Sequence, residues 1–265
     1  IIMFSVISSG MVAVMTQNIG AGRPGVAYQA RQLGLAFNAV LGVIMSLFLS
    51  LGAGTILSGV GVADALMQPA KTYLQIVGGF CILNALIPIC SSYLRAFGFS
   101  KEPLYASIIG NVINFCLNAF FLFVLHKGVA GVATATVISR IINLVIVVLL
   151  GAVLVKAKQH PERESNRAVM GQIIRIGLPS ACETAIYNVS MTLVIRFLNQ
   201  MDAQGLNVTA RSYTMQITNF SYCVGAALAQ ANAIMTGWHI GAKEYDACDR
   251  GTKKAAVIGV IVAVI

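Results

Sequence analysis

Long apolar runs alternate with short polar clusters along this chain. The long runs cover about residues 1–19, 33–60, 72–93, 104–125, 129–155, 171–198 and 208–238, and another begins after Lys254. A helix of about 20 residues crosses a hydrocarbon core about 30 Å thick. Lipid offers no hydrogen bonds to the backbone, so segments of this kind are helical. The pattern predicts an all-α, polytopic helical membrane protein with eight spans.

Composition supports a membrane protein and argues against other classes. Hydrophobic residues make up 57% of the chain and charged residues 10%, whereas a soluble domain carries about 25% charge. The mean hydropathy is +0.81. The net charge of +9 would suit nucleic acid, but the basic residues neither cluster on one amphipathic face nor alternate with aromatic residues. The six cysteines form no CxxC pair, so we expect neither disulfides nor a zinc site.

The basic residues concentrate in alternate polar clusters, which predicts the topology. Of the 18 basic residues, one set of loops and their flanks holds only Lys71, Lys127, Arg196 and Arg211, and Arg140 lies within a span. Cytoplasmic loops carry an excess of Lys and Arg, so the other, richer set of loops is predicted to be cytoplasmic. Its basic residues are Arg23, Arg31, Arg95, Lys101, Lys156, Lys158, Arg163, Arg167, Arg175, Lys243, Arg250, Lys253 and Lys254.

The most polar segment, residues 156–167, is interpreted as a cytoplasmic linker between two helical lobes. The predicted division is a first lobe over residues 1–158, a linker over 159–169 and the start of a second lobe over 170–265. Ile1 begins inside one apolar helix and Ile265 ends inside another. We therefore expect a fragment of a longer chain, with the first lobe lacking its first span.

A short internal repeat relates the two lobes. Ile19-Gly-Ala-Gly-Arg23 ends the first span, and Ile240-Gly-Ala-Lys243 ends the seventh. Six spans separate the two turns, and an even number gives both halves the same polarity in the membrane. The spacing favours parallel repeats, as in several transporter folds.

Five motifs, taken in order, resemble those of the multidrug and toxin extrusion (MATE) family of secondary transporters. They are Gln17–Arg23, Leu94–Pro103, Gly110–Asn118, Gly128–Arg140 and Gly177–Glu183. The resemblance implies two lobes of six helices each, with this chain covering about family spans two to nine. The family often has Asp where this chain has Phe99 and Asn118, so these first-lobe positions supply no carboxylate for ion coupling.

Glu183 is the main candidate for function. It lies about ten residues inside the sixth span, roughly 15 Å deep at 1.5 Å per residue. An ionised carboxylate there costs about 2.5 to 3.5 kcal/mol, so such a residue is usually paired, hydrated or protonated. Tyr187 and Ser190 follow at i+4 and i+7 and share its face. These three residues are predicted to couple the ion or contact the substrate, and the alternative is a hydrated carboxylate that only supports the structure.

Asn111, Asn114 and Asn118 follow Ser107 at helical spacing and form a second polar face. Three amides facing pure lipid would be costly, so this face must meet protein or water. Two interpretations remain open. The asparagines either join neighbouring helices by hydrogen bonds or line a cavity.

Arg140 belongs to a third polar stripe, together with Thr136, Ser139 and Asn143. By residue count it lies near the membrane midplane, where it either lines the cavity or pairs with Glu183. A permanent pair would make both residues structural. Gln17, at the end of the first span, is a further cavity-lining candidate.

These features and the resemblance together predict a secondary active transporter. It would export amphipathic organic cations or drugs in exchange for protons or sodium, by alternating access between the lobes. No Gly-rich ATP-binding loop occurs, no His lies deep in a span as an intramembrane enzyme would need, and we expect no cofactor beyond the coupling ion. We expect a monomer in the plasma (inner) membrane, without nucleic acid. The alternatives are a flippase for lipids or lipid-linked sugars and a scaffold without transport.

Overall fold

The structure is a computed structural model that describes residues 2–60, 64–155, 162–201 and 206–264. Throughout these ranges the regular structure is helical, as the apolar pattern predicts. The first five helices are α1 (Ile2–Gly20), α2 (Pro24–Leu51), α3 (Ala53–Val60), α4 (Asp64–Gly79) and α5 (Cys81–Ala96). The others are α6 (Lys101–Ala119), continued by a π-helical stretch (Phe120–Val124), α7 (Gly128–Leu154), α8 (Asn166–Met201), α9 (Leu206–Gly241) and α10 (Tyr245–Val264).

Helix α1 lies at the centre of the molecule. It packs against α2 and α5 of the first lobe and against α8 and α9 of the second. Its apolar side chains, including Ile7, Met11 and Met15, are fully buried and share one core with Tyr93 of α5 and Ile173 of α8. The hydrophobic core therefore runs across the junction of the two lobes.

Two predicted spans each consist of two helices. The predicted span 33–60 breaks at Gly52 into α2 and α3. The predicted span 72–93 breaks at Phe80, where the helices on either side are bent by 42°. Both segments remain apolar across the break, so hydropathy alone does not reveal it.

The boundaries of several polar segments differ from the sequence prediction. Asp64, Pro69 and Lys71 lie between the predicted spans 33–60 and 72–93, but they belong to α4. Their polarity marks the end of an apolar stretch and not the end of a helix. Helix α10 begins at Tyr245, before the predicted boundary at Lys253-Lys254. Of the predicted linker, residues 156–161 lie outside the described ranges, and α8 already begins at Asn166.

Arg31 lies on a helix and not in the predicted basic loop. Helix α2 starts at Pro24, where proline is favoured because its missing N–H has no helical partner in any case. The Arg31 Cζ atom lies 4.5 Å from the centroid of the Tyr93 ring and 5.9 Å from that of Tyr28. A guanidinium over aromatic faces gains cation–π attraction, which helps to hold this charge on the helix.

The described part of the linker is fastened to the first lobe. Arg23 Nη1 donates to Glu164 Oε1 over 2.7 Å. The Gln29 side-chain amide donates to the Glu164 carbonyl over 2.7 Å and accepts from the Glu164 N–H over 3.0 Å. These bonds fix the entry to α8 beside the start of α2.

The turns after α1 and α9 have the same backbone structure, in agreement with the predicted repeat. Gly22 and Lys243 occupy equivalent places, and both are left-handed, with φ of +74° and +62°. Glycine adopts this conformation without penalty, whereas lysine rarely does. The equivalent hydrogen bonds are Gly22 N to Ile19 O (3.0 Å) and Lys243 N to Ile240 O (3.1 Å), then Arg23 N to Asn18 O and Glu244 N to His239 O (2.8 Å each).

The helices differ in whether their length and hydropathy suffice to cross a membrane. In the described part of the chain, α2, α6 with its π-helical continuation, and α7 are long and apolar enough to cross a membrane, and the bent α4–α5 pair adds a fourth such span. Helices α1, α8, α9 and α10 also match predicted spans but fall outside that set. The α8 segment within the predicted span contains Glu183 and Asn188, and polar groups of this kind suit a cavity better than lipid.

Candidate functional site

The α8 face that carries Glu183 is open in this structure. Glu183, Tyr187 and Ser190 are all exposed, and Tyr187 retains 57% of its accessible surface. Ala181 is the last buried residue among the α8 positions whose burial is described, so these three residues lie just beyond the buried part of the helix. The helix therefore presents a carboxylate, a phenol and a hydroxyl on one uncovered face.

The polar neighbours of Glu183 donate hydrogen bonds to backbone carbonyls of their own helix. They do not bond to the Glu183 carboxylate. Thr184 Oγ1 donates to the Ser180 carbonyl over 2.9 Å, and Asn188 Nδ2 donates to the Thr184 carbonyl over 2.7 Å. In the described ranges the ion pairs are Arg23–Glu164, His239–Glu244 and Lys253–Asp249. Glu183 and Arg140 are therefore not paired in this structure, which leaves the carboxylate available to an ion, water or a cationic ligand.

The second and third polar stripes meet between α6 and α7. Asn114 Nδ2 donates to Ser139 Oγ over 3.2 Å, and Asn118 Nδ2 donates to Asn114 Oδ1 over 3.1 Å. Ser139 Oγ in turn donates to the Thr136 carbonyl over 2.9 Å. Part of the asparagine face thus joins two helices, which is one of the two interpretations left open by the sequence.

Parts of the same stripes, without Asn118, also border a small cavity between α6 and α7. Its volume is about 140 Å³, enough for about four waters at roughly 30 Å³ each. Asn118 Oδ1 and Asn143 Oδ1 are buried without a hydrogen-bond partner, so both oxygens can accept a hydrogen bond or contact a cation. The lining residues are Gly110, Asn111, Asn114, Thr136, Ser139, Arg140 and Asn143.

Helix α6 can approach α7 closely because Gly110 faces Asn143. A Cβ atom at Gly110 would lie 3.2 Å from the Asn143 Cβ atom, a separation tighter than ordinary packing. The sequence shows both stripes separately, but it does not show that they belong to one cluster. The glycine four residues before Asn114 was the signal for this close approach.

Gln17 lies apart from the asparagine cluster. It is half-buried near the end of α1, where its backbone carbonyl occupies the place that a Cβ atom on Gly241 of α9 would take. The predicted residues therefore fall in three places: Glu183, Tyr187 and Ser190 on α8, the asparagines and Arg140 between α6 and α7, and Gln17 where α1 meets α9.

We predict that Asn114→Ala lowers stability by about 1 kcal/mol, because it removes the bond to Ser139 and the acceptor of Asn118. Thermal unfolding of the protein in detergent measures the change. Asn111→Ala is the matched control, since Asn111 is exposed and forms no hydrogen bond to a described residue. Equal stability of the two variants would contradict the interhelical role of Asn114.

Comparison with known proteins identifies the family. The MatE family model matches residues 1–120 and 179–265. The "Uncharacterized transporter YisQ" of Bacillus subtilis (strain 168) is 32% identical over 253 residues, which cover 93% of this chain and 55% of that protein. The "Probable multidrug resistance protein NorM" of Streptococcus pneumoniae (strain ATCC BAA-255 / R6) is 26% identical over 261 residues, or 91% of this chain and 54% of that protein. The chain thus spans about half the length of these curated relatives.

Solved structures share the fold. A multidrug resistance MATE family transporter of the MOP superfamily in an outward-facing conformation superposes with a TM-score of 0.87 at 18% identity, covering 99% of this chain and 59% of that one. A MOP superfamily transporter from Pyrococcus furiosus, described as having a binding pocket of reverse polarity, gives a TM-score of 0.84 at 19% identity, with the same coverage. With the family model matching most of its residues, the chain is an integral membrane protein that belongs to the MatE family.

Proposed function

We propose that the protein exports amphipathic organic cations in exchange for protons or sodium, by alternating access between its two lobes. The observation that carries the proposal is the unpaired Glu183 carboxylate on the open face of α8, within a predicted membrane span. A carboxylate in this place attracts cations, and it can bind a proton, a sodium ion or a cationic substrate in turn. Competition for one carboxylate is sufficient to couple export to ion entry.

The contact between the lobes supports alternating access. Helices α1, α8 and α9 meet near their predicted cytoplasmic ends, where Val169, Ile173 and Ile234 are buried. Beyond Ala181, the rest of α8 is mostly uncovered in the described ranges. Alternating access needs contacts between the lobes that are made on one side of the membrane at a time, and these buried contacts lie at the predicted cytoplasmic ends of the helices.

The relatives support efflux as the direction of transport. NorM of Streptococcus pneumoniae is named a probable multidrug resistance protein, and so is YoeA of Bacillus subtilis, which is 25% identical over 226 residues. Resistance requires that a compound leaves the cytoplasm. For this protein we accordingly propose export across the plasma (inner) membrane by a monomer, with the coupling ion as its only small-ion requirement.

A flippase for a lipid-linked sugar is the second candidate, favoured by Arg140 beside the α6–α7 cavity. Arginine binds phosphate well. A site for a pyrophosphate-linked substrate would need several such cations, and Arg140 is the one basic residue that lines this cavity. One positive charge is too few for such a substrate, so Arg140 does not outweigh the cationic substrate that the Glu183 carboxylate favours.

Accumulation of ethidium in cells tests the proposal. Cells expressing the protein are expected to accumulate less dye than cells carrying an empty vector, and an ionophore that collapses the coupling gradient should abolish the difference. Varying external pH and sodium separately identifies the ion. Equal accumulation in both cell lines, at confirmed membrane abundance of the protein, would contradict export of organic cations.

A further inference from the structure

Helices α1 and α9 cross with their backbones in contact. A Cβ atom on Gly20 would overlap the Trp238 carbonyl, and a Cβ atom on Gly241 would overlap the Gln17 carbonyl. Gly20 and Gly241 are equivalent in the repeat, as are Gln17 and Trp238, so the two contacts are reciprocal. The approximate two-fold axis that relates the lobes therefore passes through this crossing.

Thr16 lies at the centre of the crossing. It is fully buried, and a Cβ atom on Gly237 of α9 would overlap its Oγ1 atom. Thr16 and Gly237 are equivalent positions of the repeat, as expected for residues on the axis. Because the positive-inside rule places this end of both helices in the cytoplasm, the crossing closes the cytoplasmic side.

Two side-chain hydrogen bonds fasten the same part of α9 to the end of α5. Trp238 Nε1 donates to the Ala96 carbonyl over 2.9 Å, and Arg95 Nη1 donates to Gln230 Oε1 over 2.5 Å. Ala96 is the last residue of α5, so its carbonyl has no partner within the helix. The indole of the opposite lobe satisfies this carbonyl.

Helix α9 packs on the first lobe through α1, and its link to α5 consists of these two bonds without packing along the two helices. In the described ranges α5 packs against α1, α2 and α7, but it does not pack along α9. The linker contacts of Arg23 and Gln29 with Glu164 lie next to the first lobe and do not involve α9. Contacts that rest on one or two hydrogen bonds break at modest cost, unlike the buried core between α1, α2 and α5.

We propose that Trp238 and Arg95 form a latch that holds α9 to the end of α5 while the cytoplasmic side is closed, and that releases when this side opens. The inference rests on the proposed alternating access. It goes beyond that proposal by naming two bonds that add to the α1–α9 crossing in stabilising the closed state. Loss of either bond shifts the equilibrium between the lobes towards the state open to the cytoplasm.

Labelling of a cysteine at the crossing measures this equilibrium without any substrate. Thr16→Cys is introduced into protein that lacks its native cysteines, and a membrane-impermeant maleimide is applied to inside-out vesicles. The thiol is expected to react slowly, because residue 16 is covered when the cytoplasmic side is closed. Adding Trp238→Phe keeps the aromatic ring but removes the N–H donor, and it is expected to raise the labelling rate about fivefold, which corresponds to about 1 kcal/mol at 1.4 kcal/mol per tenfold.

Gln230→Ala provides an independent test of the second bond. Gln230 is exposed, so its truncation leaves the core intact, and it should also accelerate labelling. Tyr245→Phe is the matched control because it removes a polar group from an aromatic ring that is 65% exposed near the same end of α9. This control should label at the rate of the parent protein.

A second probe separates opening of the latch from general loosening. Cys90 is buried in the core of the first lobe, and as the sole cysteine it should stay unreactive in both latch variants. Faster labelling at residue 16 alone supports the latch even if the protein exports no dye. Unchanged labelling at residue 16, or equal acceleration at Cys90, would overturn the latch and leave the proposed transport untouched.

Discussion

Glu183→Gln is expected to reduce the rate of export of an organic cation by about tenfold or more, which corresponds to a rise of at least about 1.4 kcal/mol in the activation free energy. Glutamine has nearly the same size as glutamate, but it carries no charge and does not exchange a proton. Because the Glu183 carboxylate has no partner among the described residues, its replacement disturbs no existing bond. The initial rate of ethidium efflux from preloaded cells measures the effect at equal membrane abundance.

Two controls make the result specific to this position. Glu162→Gln removes an exposed carboxylate from the described part of the linker, and it should export at the wild-type rate. Glu183→Asp keeps the charge and should retain part of the activity. If Glu183→Gln exported as fast as the wild type, the carboxylate would be structural and coupling would lie elsewhere.

The second large effect is expected from Gly10→Ala. A Cβ atom on Gly10 would overlap the backbone carbonyl of Ile173 on α8, and backbone atoms cannot move aside as the end of a flexible side chain can. Helices α1 and α8 would have to separate. We expect destabilisation by about 2 kcal/mol, in the range of overpacked cores, measured by thermal unfolding in detergent.

Gly171→Ala is the matched control for this substitution. Gly171 lies on α8 close to Ile173, but a Cβ atom there would meet nothing within 4 Å. Both substitutions gain the same helix propensity, so their difference isolates the contact between α1 and α8. Equal stability of the two variants would show that these helices are not as close as the structure has them.

Much of the fold could be predicted from hydropathy and spacing. Long apolar runs locate the helices, and the Ile-Gly-Ala sequence shared by the turns after α1 and α9 predicts the repeat, although the left-handed position that follows holds Gly22 in one turn and Lys243 in the other. The breaks at Gly52 and Phe80 could not be predicted, since an apolar stretch remains apolar across a break. Arg31 was misplaced for a related reason: a basic residue suggests a loop, but two aromatic rings hold it on a helix.

The sequence predicts the separate polar faces of the candidate site, but not which faces come into contact. The helical spacing of Glu183, Tyr187 and Ser190 is a local property, so the shared face could be read directly. The hydrogen bond between Asn114 and Ser139 joins two polar stripes and depends on how α6 packs against α7. Local spacing does not determine this packing. The bond from Trp238 to Ala96 joins residues 142 positions apart, and nothing in either segment alone indicates it.

The central claim is that the Glu183 carboxylate couples export of an organic cation to entry of a proton or sodium ion. The most direct test is ethidium uptake into liposomes that contain the purified protein, with a proton or sodium gradient imposed across the membrane. The wild-type protein should concentrate the dye against its own gradient until an ionophore dissipates the ion gradient, and Glu183→Gln in matched liposomes should not. Equal accumulation by both proteins, or accumulation that persists after the ionophore, would contradict the claim.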